Sequence, residues 1–539
     1  MQISNQDARH NIIRQGQNHD MHALCFQGST ATALFATWAP STDGEIYRLA
    51  SVGAGIVALA GASQDGVQIP LSSGRDYNAT CHAIAHKVST ATSVYYPGDP
   101  SGNYTADNSH WGVTSSAASA CSVEPGSIAD IREILYIVAE TKTPFAIKCG
   151  GHATNPGFSS TRGVQIAMRR FNKVVVNHAA GTIDIGGGLR WDQVYSALDG
   201  TGLSVVGGRI MGVGVSGLTL GGGYSWKSNE YGLTLDNVVG FEVVLPNGTV
   251  TTVTKADKDL WFALRGGGNN FGIVTKFTMK SVPQTDVWGG VAVYSIDHVD
   301  SVISAVAKFS ATAPDKKAVV LPSFSNTPQG GIMIGLLMFY DGPSPPSGVF
   351  DDFLAIHYEV LSVRTQSFVS FVQSIARPPD GARLRFSSVP VLDWTPSLLK
   401  VVYNESQYWS ARLAPLENPP PFVSWQLDTM DPTYLQHGSP SAWPPSRKYP
   451  FLPGALFFSW ANKSSDSAML DAFHKSSATI RAAASAEGQN ITNAWTYPNY
   501  ALEDTPVKEM YGDNVARLRA IHKRVDPDNT MGLTGGFKF

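Results

Sequence analysis

Cysteine is scarce in this chain: Cys25, Cys81, Cys121 and Cys149 are the four among 539 residues. No two of them stand in a CxxC spacing, which argues against a thiolate zinc site, and no metal site is expected. Charge is scarce as well. Charged residues are 15% of the chain and the net charge is −3, so nothing favours nucleic acid or an anionic membrane as partner. Long apolar runs are missing. The most membrane-like stretch, RLASVGAGIVALAGA at 48–62, is too short to span a bilayer. Internal repeats and low-complexity tracts are also absent.

What is present is a hydrophobic fraction of 43% and 52 glycines gathered in a few runs. The length predicts two or more folded units. Residues 48–62 read as a secretory signal: a basic residue, a small apolar run and an Ala-Gly-Ala end. They start far from Met1, after a patternless segment at 1–47. Either the true start lies downstream of Met1, the preferred reading, or that segment is real and disordered. Sequons at Asn78, Asn103, Asn247, Asn404, Asn462 and Asn490 lean the same way, towards a secreted or lumenal glycoprotein.

Apolar spacing at Ile128, Ile131, Ile134, Leu135 and Val138 predicts a helix over 127–142, and a strand follows at 145–148. Alternating stretches then predict further strands, a helix over 190–199 and another strand near 203–206. This is an α+β or α/β pattern. Pro246-Asn247-Gly248 predicts a hairpin turn. A Pro- and Ser-rich region at 286–493 predicts a second domain, with strands such as GGIMIGLLMFY and ALFFSWA and a helix near 466–486. The tail predicts one helix over 508–524.

Gly212, Gly214 and Gly217 match the dinucleotide fingerprint GxGxxG, with Asp236 about 20 residues on. That fingerprint needs a helix to open at its last glycine. Here Leu-Thr-Leu and then Gly221-Gly222-Gly223 follow, a poor helix sequence, so the Rossmann reading is set aside. The alternative is that three glycine clusters, Gly150-Gly151, 212–223 and 266–272, converge on one large ligand. Successive backbone N–H groups in such turns form anion-binding nests.

The segments CSVEPGSIADI, FAIKCGGHATNPGFSS, GVSGLTLGGGYSWKSNEYGLTLDNVVGFEVVLPNG, DLWFALRGGGNNFGIVTKF and the tail YPNY…YGDNVARLRAIHKRVDPDN follow one another in order. With them the chain resembles the vanillyl-alcohol-oxidase/PCMH superfamily of FAD-linked oxidases, in its berberine-bridge-enzyme-like, fungal-type branch. The resemblance covers roughly 81–280 and 495–529, and 286–493 match it only loosely. It implies an α+β fold: a two-subdomain PCMH-type FAD-binding domain at 75–285, then an α/β substrate domain with an antiparallel sheet at 286–493. A C-terminal segment at 494–539 would return to the FAD domain.

The resemblance also implies site residues. His152 would bond covalently to the flavin 8α-methyl, which suits a neutral imidazole nucleophile. Lys148, Cys149, Gly150, Gly151, Ala153, Gly217, Thr219, Gly222, Gly223, Gly272 and Val274 would complete the FAD contacts. Ile210 stands where many relatives carry a second flavin-linking Cys, so one link is expected, and this weighs against an oligosaccharide oxidase. Val213 falls at the gatekeeper position over the flavin and is compatible with O2 access. The family's N-terminal disulfide would join Cys81 to Cys121. Tyr497 is the nominated base and Asn499 its polar partner. Side chains alternate on a strand, so these two would share a face and Tyr500 would point away. Trp425, Gln426, Phe458 and Trp460 are candidate pocket residues, although aromatic strand residues are more often core. The implied function is an FAD-dependent oxidase that takes two electrons from a small alcohol, amine or phenolic, with O2 as acceptor and H2O2 as product. Alternatives are a flavoprotein cyclase or isomerase of secondary metabolism, an oligosaccharide oxidase, and a binding module without turnover.

Overall fold

A computed structural model describes residues 76–328, 331–376 and 381–539. The leader and signal-like segment, 1–62, lie outside the described residues. The fold mixes helices with largely antiparallel sheets. A four-stranded sheet comes first, in the order Ser93–Tyr95, Cys121–Glu124, Val164–Ala167, Phe145–Lys148, and its last three strands run parallel. The helix Ile128–Thr141 makes the crossover. Ser127 caps it, its hydroxyl accepting from the Asp130 N–H at 3.2 Å. Its periodic face, Ile131, Ile134, Leu135 and Val138, is fully buried. A disulfide joins Cys81 to Cys121 and ties the helix Asn78–Lys87 to this sheet.

A five-stranded antiparallel sheet follows, in the order Val174–Asn177, Thr182–Gly186, Ile273–Lys280, Val238–Val244, Val250–Val253. Its last pair is the hairpin turning at Pro246-Asn247-Gly248. The third sheet has eight strands, all antiparallel, built from residues 287–460. Helices Val299–Thr312, Pro396–Leu413 and Asp466–Ala486 belong to this half. One continuous core runs from the five-stranded sheet into the eight-stranded one.

The C-terminal segment returns to the first half. Thr534 bridges Phe145, and Met531 is buried in the core of the first sheet. The single helix expected at 508–524 is instead two, Val507–Tyr511 and Asn514–Val525, divided at Gly512, where φ is 50°. A second expectation also fails. A helix, Val215–Gly221, does open inside the GxGxxG run, and it stops where Gly222 takes φ 133°. The site is still no Rossmann turn. The nearest preceding strand, Leu203–Ser204, pairs antiparallel with Val282–Pro283. Asp236 is buried between two guanidinium groups, 2.8 Å from Arg265 and 2.7 Å from Arg447, and cannot serve a ribose. Among the described residues, no helix is long and apolar enough to cross a membrane.

Candidate active site

The three glycine clusters meet on one cavity of about 440 Å³. Gly150, Gly151, Gly214, Gly217, Gly221, Gly267, Gly268 and Gly272 all line it. Two loops come together there so closely that a side chain has no room. A Cβ on Gly150 would sit 2.5 Å from the Gly214 nitrogen and 2.6 Å from the Gly212 oxygen. At Gly217 the reverse holds: a Cβ there would meet nothing within 4 Å, because the position opens on the cavity. The C-terminal tail closes this end. Asn269 and Asn270 donate to the carbonyls of Gly535 and Phe537 at 3.0 and 2.9 Å, and Phe537 lines the cavity.

His152 stands on the same loop. Its ring stacks on Trp111 with centroids 4.0 Å apart, and Trp111 stacks on Phe457 of the third sheet at 5.6 Å. Cys149, Ala153, Val213, Ile210 and Val274 also line the cavity. Burial pushes the Cys149 thiol pKa up, and the thiol donates to the Leu189 carbonyl at 3.0 Å, so it is a poor nucleophile.

Four nominated cofactor residues do not line the cavity. Lys148 ends its strand and turns behind the loop, where its ammonium donates to the Ala106 carbonyl at 2.7 Å. Burial brings its pKa down to about 8. Thr219 is rotated inward by the unexpected helix and donates to the Val215 carbonyl at 2.7 Å. Gly222 packs against the rings of Trp443 and Tyr497. Gly223 donates its N–H to the Tyr497 hydroxyl at 3.0 Å. The last two hold Tyr497 in place.

Tyr497 and Asn499 line the cavity, but not from a strand. Residues 497–500 form a turn in which the Tyr500 N–H bonds the Tyr497 carbonyl at 3.0 Å. The turn brings Tyr500 onto the same cavity, against expectation, because alternation applies only to extended chain. Asn499 donates to the Tyr497 hydroxyl at 2.8 Å. Burial raises the Tyr497 pKa. Tyr500 stacks on Phe386 at 5.2 Å and its hydroxyl accepts from Arg209 at 2.9 Å. Burial raises the Tyr500 pKa, and Arg209 opposes that shift.

The opposite wall is a sheet face. Gln426, Ala455 and Phe457 line the cavity, together with Leu321, Ser323 and Leu337. Gln426 pairs with Ala455 and therefore shares its face. Trp425, Phe458 and Trp460 point the other way, into the core, at 0%, 0% and 1% exposure. Sequence reasoning missed Arg209 and Asp428, which pair through both carboxylate oxygens at the cavity edge. They are 219 residues apart and no local pattern links them. Trp111 was missed too. Tyr500 had one signal, its place in the YPNY segment.

The comparisons agree with this geometry. The family described as "FAD binding domain" matches residues 119–254, and "Berberine and berberine like" matches residues 496–532. An uncharacterized FAD-linked oxidoreductase of Arthroderma benhamiae is 37% identical over 273 residues, 50% of this chain and 54% of that relative. The FAD-dependent monooxygenase FUP4 of Fusarium proliferatum is 30% identical over 445 residues, 78% of this chain and 84% of that one. Among solved structures, the glucooligosaccharide oxidase of Acremonium strictum superposes with a TM-score of 0.69 at 16% identity, covering 85% of this chain and 98% of its own. The shared fold, the two family matches and the relative aligned along most of its length lead to one assignment. The chain belongs to the berberine-bridge-enzyme-like family of FAD-dependent oxidoreductases.

Proposed function

We propose that the protein is an oxidase whose flavin is attached through His152 alone and whose substrate is a small, largely apolar alcohol, amine or phenolic. One observation carries this reading: His152, the three glycine loops and four tyrosines, Tyr497 and Tyr500 among them, share one cavity. The backbone fits FAD, since Gly217 faces open space and the loops offer N–H groups for a pyrophosphate. Gly150, Gly151, Gly217, Gly268 and Gly272 would hold the cofactor. When bound, FAD supplies a two-electron acceptor that passes its electrons to O2 and yields H2O2. Ile210 has no sulfur to offer as a second link. The FAD of the Acremonium strictum oxidase is 6-S-cysteinyl and 8α-N1-histidyl, and we infer that this chain keeps only the histidyl link.

On the substrate side the proton of an O–H or N–H must leave as the two electrons do. Tyr224, Tyr497, Tyr500 and Tyr511 line the cavity, and Tyr497 and Tyr500, whose hydroxyls both accept hydrogen bonds, are the two we nominate to take it. Tyr497 accepts from two neutral donors, whereas Tyr500 accepts from a cation. Leu321, Leu337, Ile375, Phe386 and Phe457 make the wall apolar, which suits an aromatic or aliphatic substrate better than a sugar chain. The Cys81–Cys121 disulfide and the exposed sequon residues Asn78, Asn247 and Asn404 support a secretory route.

The monooxygenase name of the Fusarium proliferatum relative favours a second reading, insertion of one oxygen atom into the product. Turnover of phenolic, alcohol, amine and oligosaccharide substrates under labelled O2 separates the readings. Equal O2 uptake and H2O2 release, with no label in the product, is expected. Label in the product would establish the second reading, and turnover without O2 uptake would favour a cyclase or isomerase.

A further inference from the structure

We infer that Arg209 is a positioning residue that makes Tyr500, rather than Tyr497, the hydroxyl that takes the substrate's proton. The inference rests on the proposal that a cavity tyrosine is the proton acceptor.

Arg209 belongs to the glycine-rich wall, just before the helix Val215–Gly221, yet its side chain reaches the opposite side of the cavity. There it contacts two segments that are distant in sequence. Asp428, directly after the strand Phe422–Leu427, takes it through both carboxylate oxygens, and Tyr500 of the C-terminal turn takes it at 2.9 Å. The guanidinium is held over the rings of Tyr224 and Trp226, 5.8 and 6.0 Å from their centroids. The Trp226 indole donates to the Arg209 carbonyl at 2.9 Å, so the backbone is fixed too. The side chain is only 12% exposed.

A guanidinium has five N–H donors, no acceptor and no accessible neutral form. In its contact with Tyr500 the phenol oxygen must therefore be the acceptor, which leaves that hydroxyl's own proton free to exchange through the cavity. A fixed cationic donor favours the phenolate over the phenol. Asp428 opposes this and keeps the cluster neutral while Tyr500 is protonated. The other groups around Tyr500 are the Tyr497 ring at 4.8 Å, the Phe386 ring at 5.2 Å and, along the chain, the Arg385–Glu503 ion pair at 2.7 Å. Among the described residues no cation touches the Tyr497 hydroxyl, whose donors are the Gly223 N–H and the Asn499 amide. Burial raises both phenols and Arg209 lowers both, but its guanidinium touches only the Tyr500 hydroxyl.

The step balances. The substrate's O–H or N–H bond breaks, its proton forms an O–H bond on the Tyr500 phenolate oxygen, the freed pair makes the C=O or C=N bond, and bound FAD would supply the acceptor for the hydride of the adjacent C–H.

The test uses the flavin-loaded enzyme and three variants, Arg209→Met, Arg209→Lys and Asp428→Asn. The pH profile of kcat/KM should rise with Tyr500 ionisation. Arg209→Met should move that rise upward by at least about one unit, a tenfold loss at a pH below it. Arg209→Lys should keep most of the wild-type position, and Asp428→Asn should move the rise downward. Ultraviolet titration of tyrosinate, with Tyr500→Phe subtracted, should shift in the same directions without any turnover. If Arg209→Met does not fold, Arg209→Lys and Asp428→Asn still decide the sign. Loss of activity in Tyr500→Phe with an unmoved profile and titration in the Arg209 and Asp428 variants would overturn the role of Arg209 alone. Full activity in Tyr500→Phe with flavin still attached would overturn Tyr500 as acceptor, and with it this inference. Full activity in Tyr497→Phe as well would discard both nominated tyrosines.

Discussion

The two walls of the cavity are made of different material. One is backbone: three glycine loops drawn together until Gly150 and Gly214 nearly touch, with His152 projecting from the first. The other is side chain, the face of an antiparallel sheet carrying Gln426, Phe457, Leu321 and Leu337. A backbone wall binds groups that every FAD presents, phosphates above all, and tolerates little change. A side-chain wall can be altered one residue at a time without disturbing the sheet behind it, which suits the substrate role proposed for it above. Arg209 starts in the first wall and ends in the second.

The contrast can be broken most severely from behind the substrate wall. Trp425 is fully buried and donates to Ser476 at 2.9 Å. Trp425→Ala should cost about 3–5 kcal/mol in denaturant unfolding. A smaller loss would mean that the sheet does not depend on its rear face. Gly150→Ala comes next. One methyl forced against the Gly214 backbone should cost about 1–3 kcal/mol and lower flavin content, read from visible absorbance per protein. Normal flavin content would show that the loops can part. Gln426→Ala faces the cavity, so stability should stay within about 0.5 kcal/mol while KM for the substrate changes. An unchanged KM would remove Gln426 from the substrate wall.

A pH-dependent effect lies at the seam between the two halves. Lys227 pairs with Asp341, which follows the strand Ile332–Tyr340, and Glu230 lies beside them. Burial, then the Asp341 carboxylate, pushes the Glu230 pKa from 4.5 up to about 8. Unfolded, Glu230 loses its proton near 4.5; folded, it keeps it until about 8. The folded state therefore holds more protons across that window, and this contribution to stability falls as pH rises through it. Glu230→Gln should flatten that part of the thermal-stability profile, and an unchanged slope would place the titration elsewhere.

The same contrast explains what could be read from the residues alone. Backbone conformation leaves a local signature, because only glycine fits a crowded or left-handed position. The GGH loop, the convergence of three glycine clusters and the helix Ile128–Thr141 were therefore legible. Even there Thr219 misled, since the short helix Val215–Gly221 had no cap or apolar period to announce it. The substrate wall depends on register between distant strands. Gln426 could be named as a candidate, but its face was decided by pairing with Ala455. The Arg209–Asp428–Tyr500 cluster joins three segments and had no pattern to find. Alternation puts Tyr500 on the wrong face because 497–500 is a turn that reads like a strand.

A single flavin link at His152 is the feature on which the proposed cofactor site rests. The direct measurement is the visible spectrum of acid-precipitated, washed and redissolved protein, for wild type and His152→Ala. A flavin band should stay with the wild-type protein and be absent from the variant's pellet. A yellow supernatant over a colourless wild-type pellet, or a band that persists in His152→Ala, would contradict it.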